Sequence, residues 1–110
     1  MVEAVATTGK LLRHVVLFKF KHEVTPEQVQ EVVTAFGSLK GKISLIEDFE
    51  WGTDVSVENL AAGYTHCFCG SFRDAASRDA YLPHPAHQEF VKIAGPRIDK
   101  VLVVDYFANR

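Results

Sequence analysis

The chain has little cysteine, no basic run and no long apolar stretch, and each scarcity removes a class of protein. Only Cys67 and Cys69 are present among 110 residues. They stand two apart in an extended stretch, where side chains share a face but the backbone disfavours a direct disulfide. A disulfide scaffold is therefore excluded, and both thiols are expected to be free, reduced and buried. As metal ligands, a C-x-C pair without a second pair is weak. Lysine and arginine do not cluster, and a net charge of -2 with a pI near 6.2 offers no general attraction to a phosphate backbone, so nucleic acid is not an expected partner. No apolar segment approaches the roughly 20 residues of a helical membrane span. Met1 to Lys10 includes Glu3 and lacks the basic start and apolar centre of a secretory signal. A soluble, cytoplasmic protein with no membrane partner is the expectation.

What is present fits one domain. With 47% hydrophobic and 24% charged residues, the chain can build a real core but has no room for a second one. A polar tail is expected over 1–10 and a single domain over 11–110. The stretch 11–20 is rich in β-branched and aromatic residues and reads as a strand apolar on both faces. Thr25-Pro26-Glu27-Gln28 then supplies a cap, a proline at the first helical position and a glutamine three residues after the cap, which together form a capping box. A helix should run to about Lys40, with Val29, Val32, Val33, Phe36 and Leu39 on one stripe and Gly41 ending it. Further strands are expected over 43–51, 64–72 and 100–107. Asp74 is placed to cap a short helix through Tyr81, Pro83 and Pro85 interrupt it, and a second helical piece runs over 85–94 with Phe90, Val91 and Ile93 inward.

The order is β-α-β-β-α-β, a ferredoxin-like α+β arrangement in which one four-stranded antiparallel sheet carries helices on one face. Strands one and four are apolar on both faces, so a monomer would expose a broad apolar sheet. A homodimer packed sheet to sheet, closing an α/β barrel, removes that surface.

The stretch Tyr81-Leu82-Pro83-His84-Pro85-Ala86-His87-Gln88-Glu89-Phe90 sets a phenol and two imidazoles among apolar neighbours. An imidazole can take a proton near neutral pH, and a phenol can donate a hydrogen bond to a carbonyl without ionising. The plainer reading is a helix break in which His84 caps the next turn and His87 lies at the surface. His84 and His87 are three apart and could share a helix face toward a metal, but no third ligand is placed beside them, and no metal is expected.

Five stretches extend the pattern: His14-Val15-Val16-Leu17-Phe18-Lys19-Phe20, Trp51-Gly52-Thr53-Asp54-Val55-Ser56, Gly63-Tyr64-Thr65-His66, His84-Pro85-Ala86-His87 with Phe90, and Asp105-Tyr106. In order and spacing the chain resembles the stress-responsive dimeric α/β barrel family of plants, from His14 to Tyr106. That family includes a heat-stable protein with no settled reaction and a polyketide cyclase that works by intramolecular aldol condensation without a cofactor. The resemblance implies that His87 stands at the base position and Tyr81 at the position assisting the substrate carbonyl, with His14 and His66 also lining the site. His84 and Phe90 join them as ligand-binding candidates. Phe36 stands where the cyclase has a second pocket tyrosine, and Phe68 where it has a smaller aliphatic residue, which implies a narrower pocket with one hydroxyl fewer. Two readings follow: a cyclase acting on a polyketide-like ligand with no cofactor, and a non-catalytic dimer that binds small apolar molecules or protects through its own stability.

Overall fold

A computed structural model describes residues 10–110; the tail expected over 1–10 lies, apart from Lys10, outside the described residues. The element order is β1 (Leu12–Phe20), α1 (Pro26–Lys42), β2 (Ile46–Thr53), β3 (His66–Phe72), α2 (Ala75–Tyr81), α3 (Pro85–Ala94), a 3-10 turn (Gly95–Arg97) and β4 (Ile98–Phe107). The strands form one antiparallel sheet in the order β2-β3-β1-β4. This is the expected ferredoxin-like order, with the second helix divided at the proline pair. No described helix is long and apolar enough to cross a membrane.

The capping box forms as its residues dictate. Thr25 Oγ1 accepts from the Gln28 N–H at 3.2 Å, and Gln28 Oε1 accepts from the Thr25 N–H at 3.0 Å. Val32, Val33, Phe36 and Leu39 bury the inner stripe of α1 against Leu12, Val16 and Phe18 of β1 and Phe68 and Phe72 of β3. The helix passes through Gly41 and ends at Lys42, where the Ile43 N–H still bonds to Leu39 O at 2.9 Å. Gly41 therefore does not stop it. A glycine inside a helix costs only about 1 kcal/mol, and Lys40 and Lys42 suit the negative end of the helix. The second strand consequently begins at Ile46 rather than at 43. The third begins at His66, because Tyr64 is tied into a turn by its N–H to Ala61 O.

Two burial expectations fail. Val91 and Ile93 of α3 are exposed while Phe90 and Ala94 point inward, since only the helix stripe four residues apart is buried. Cys67 is exposed and Cys69 only partly buried, because both lie on the face that carries no helix. Burial pushes the Cys69 thiol upward. The same face presents Val15 and Leu17, with Leu102, Val104 and Tyr106 about half exposed on β4. The molecule is 18 Å in its thinnest dimension, the depth of one sheet layer and one helix layer.

Candidate functional site

The proline pair builds the site. Pro83 and Pro85 cannot donate to a helix ladder, so α2 stops and leaves its last carbonyls open. The His84 N–H satisfies Tyr81 O at 3.0 Å, and His84 Nδ1 accepts from the Ala86 N–H at 3.0 Å, capping α3. His87, one turn into α3, reaches back to Leu82 O at 2.8 Å through Nδ1, and the Gln88 side-chain amide meets the same oxygen at 3.0 Å. A carbonyl only accepts, so the proton sits on Nδ1 and Nε2 keeps its lone pair. Burial then pushes the His87 imidazole below its usual range, against the raising effect of its bond to Leu82. The break in the helix thus fixes a neutral imidazole with one basic nitrogen.

Beside it lies Tyr81, at a ring-centroid distance of 4.5 Å and only 2% exposed. Burial pushes the phenol far upward, so it stays protonated. No hydrogen bond joins its hydroxyl to another described residue. Leaving such a group buried and unpaired costs about 1–3 kcal/mol. His14 of β1 packs edge-on against Tyr81 at 5.9 Å. Its Nδ1 is 2.7 Å from Asp105 Oδ1, and Arg78 Nη1 donates to Asp105 Oδ2 at 2.7 Å. The antiparallel register that sets His14 opposite Asp105 makes this possible.

These groups share a cleft of about 420 Å³ between α3 and the β1-β4 side of the sheet. Of the residues singled out in the sequence, His14, Phe36, Tyr81, His87 and Phe90 line it. His66 does not. It stacks on Trp51 at 6.1 Å, bonds to Thr65 at 2.9 Å and borders a different depression near the β2-β3 loop. Burial pushes its imidazole down as well. Phe68 lies beneath the cleft rather than in it, fully buried against Phe36 at 4.6 Å and Phe18 at 5.2 Å. His84 is a helix cap and is not among the lining residues. Among the described residues, no group of three or more His, Cys, Asp or Glu is placed so as to hold a metal ion.

The sequence reading missed Val16, Phe18, Ile98, Val101 and Val103, which supply the apolar wall, and Arg78. Alternation alone sets Val16 and Phe18 on the face of His14, and Val101 and Val103 on the face of Asp105. The Arg78 pairing had no such signal, since it spans 27 residues between α2 and β4.

A protein-family model described as the stress responsive A/B barrel domain matches residues 12–108. A stress-response A/B barrel domain-containing protein of Arabidopsis thaliana, HS1, is 43% identical over 95 residues, covering 86% of this chain and 87% of its own. Olivetolic acid cyclase of Cannabis sativa is 33% identical over 95 residues, covering 86% of this chain and 94% of its own. Among solved structures, hydroxynitrile lyase from Passiflora edulis superposes with a TM-score of 0.85 at 27% identity, covering 91% of this chain and 94% of that one. A dimeric ferredoxin-like protein of unknown function from Thermobifida fusca gives 0.77 at 27% identity, covering 91% and 94%. The fold, the length of the match and these identities agree: the chain belongs to the stress-responsive A/B barrel domain family.

Proposed function

We propose that the cleft binds a small, largely apolar carbonyl compound and transforms it by acid-base catalysis, as a cofactor-independent lyase or cyclase of polyketide-like substrates. The observation that carries this reading is the buried Tyr81 hydroxyl, without a hydrogen-bond partner among the described residues, beside an imidazole whose free nitrogen is fixed by Leu82 O. In the reaction, His87 Nε2 takes a proton from a carbon flanked by carbonyls, and the electron pair moves to the carbonyl oxygen, which accepts a hydrogen bond from Tyr81. The carbanion then attacks a second carbonyl carbon of the same molecule, forming the carbon-carbon bond, and the new alkoxide takes the proton back from His87. The cleft holds the chain folded while this happens. Its volume sits at the lower end of small-molecule sites. Phe36, packed at a tilt against Phe90 with ring centroids 4.3 Å apart, supports a compact substrate. Two relatives are named for a cyclase and a hydroxynitrile lyase, which supports chemistry of this kind. A non-catalytic reading rests on the mostly apolar wall, which suits ligand binding or stress protection without turnover.

The binding step is tested by titrating the protein with acetylacetone while following histidine ring signals by NMR. Shifts at His87 and His14 but not at His22 are expected; equal shifts at all of them would contradict the cleft as the binding place. The pH dependence follows from the lowered His87 value. Activity that needs the neutral ring is full at neutral pH and is lost only as pH falls through that lowered value, below the ordinary imidazole range. An acid limb at or above that range would contradict the assignment.

For the domain over 11–110, the bare sheet face favours a homodimer packed sheet to sheet, as do its dimeric structural neighbours. Light scattering at micromolar concentration should give twice the chain mass. Native Cys67 should react slowly with a thiol reagent despite its exposure on the single chain, and denatured protein should show both thiols free. A monomeric mass with rapid Cys67 labelling would remove the dimer.

A further inference from the structure

The bare sheet is not the only apolar feature without a partner in its own chain. Between β2 and β3 the chain makes an arm, residues 54–65, on which Val55, Val57 and Leu60 are 87%, 95% and 77% exposed. The arm is held in shape. The Asp54 N–H bonds to Thr65 O at 2.9 Å, Asp54 Oδ1 accepts from the Ser56 N–H at 3.0 Å, and the Tyr64 N–H bonds to Ala61 O at 3.0 Å. Asn59 and Ala62 adopt φ of 62° and 56°, beside Gly63 at 88°. A left-handed alanine costs of the order of 1 kcal/mol or more. A strained, hydrogen-bonded arm that displays three aliphatic side chains to solvent is built for contact with another surface.

The arm is continuous with the bare sheet face. Leu17, Gly52 and Cys67 of that face line a depression of about 210 Å³ together with Ala61 and Tyr64 at the base of the arm. Two copies stacked face to face with their strands aligned are related by a two-fold axis running close to either the strand direction or its perpendicular. An axis across the strands brings each arm over the far end of the partner's β2 and β3, where Asp48 and Glu50 would meet the arm's own Asp54 and Glu58. An axis along the strands brings it instead over the start of the partner's β4. The strand order puts β2 and β4 on opposite edges, and the arm lies at the same end of the sheet as Lys100 and Val101. There the acidic arm meets Lys100, and its aliphatic groups meet Leu102 on the bare face and, around the sheet edge, Val101, which are 45% and 55% exposed on an edge strand.

We infer that the 54–65 arm of one copy docks on the first half of β4 of a second copy, reciprocally, with Val55, Val57 and Leu60 as its anchors. The inference rests on the dimer proposed above. It also bears on the cleft, because Asp99 and Val101 in the same part of β4 border it, so a docked arm walls its open side.

The test has two parts. In a Cys67→Ser/Cys69→Ser background, Val57→Cys combined with Leu102→Cys should give a covalent dimer on oxidation, whereas Val57→Cys combined with Tyr106→Cys, at the far end of β4, and Val57→Cys alone should not. Cross-linking of the far pair, or of neither pair, overturns the docking. Separately, Val57→Asp/Leu60→Asp, at positions that support no packing within the protomer, should leave the circular dichroism spectrum unchanged. It should raise the dimer dissociation constant about tenfold or more, the equivalent of about 1.4 kcal/mol, and speed diethyl pyrocarbonate modification of His87 several-fold. An unchanged dissociation constant overturns the arm while leaving the sheet-to-sheet dimer standing. A monomeric wild type overturns the dimer itself.

Discussion

Replacing His87 with alanine is expected to abolish nearly all turnover of a linear polyketone thioester, with a loss of about 10²–10⁴ in rate, the range general-base catalysis commonly supplies. Two features set the size of this effect. The Nδ1–H bond to Leu82 O leaves one nitrogen able to take a proton, and burial keeps that nitrogen unprotonated at neutral pH. Tyr81→Phe should lower the rate less, because it removes a single donor to the developing oxyanion and keeps the ring that packs on Phe72 at 4.9 Å. It should not destabilise the fold, since the hydroxyl it deletes has no hydrogen-bond partner among the described residues to lose. His84→Ala should act on stability alone, by about 0.5–2 kcal/mol for a lost helix cap, with the rate per folded molecule unchanged. Rates with thermal unfolding measured on the same samples separate the three. A His87→Ala protein as active as wild type would remove the base assignment.

Phe68→Ala is expected to produce the largest loss of stability, about 3–5 kcal/mol, as for other fully buried aromatic truncations. Phe68 has no exposed surface, and its ring lies within 6.3 Å of the ring centroids of Phe18, Phe36, Phe49, Trp51 and His66. Its removal opens a hole in the layer joining α1 to the sheet. In a domain of this size the melting temperature should fall by well over 10 °C, at about 4–8 °C per kcal/mol. Phe36→Ala touches both the core and the cleft, so it should lose stability and also loosen selectivity for ligand size. If Phe68→Ala instead melts like wild type and accepts longer ligands, the residue lines the cleft rather than supporting it.

The parts of this fold that local chemistry dictates were legible in the sequence. The capping box at Thr25, the break at Pro83 and Pro85, and the two-faced apolar pattern of β1 and β4 all follow from neighbours within a few residues. What escaped depends on the third dimension. Gly41 carries the same residue type as a helix stop but remains inside α1, since nothing after it offered a left-handed cap. His66 alternates onto the face of Phe68 and Phe72, yet it stacks on Trp51, diagonal to it on β2, and stays out of the cleft. Arg78 and Asp105 meet only because β1 pairs with β4 in a register that sets Asp105 opposite His14. No spacing along the chain encodes that meeting. For the cleft itself, Tyr81, His87 and Phe90 came from one short motif, and the valines of β4 came from strand pairing.

The most direct test is the rate at which wild-type protein cyclises a linear polyketone thioester, compared with buffer and with binding measured on the same preparation. Acid-base catalysis in the cleft predicts saturable acceleration over buffer with an acid limb below the ordinary imidazole range. Tight binding with no acceleration at any pH would contradict it, and would leave the cleft as a ligand-holding site.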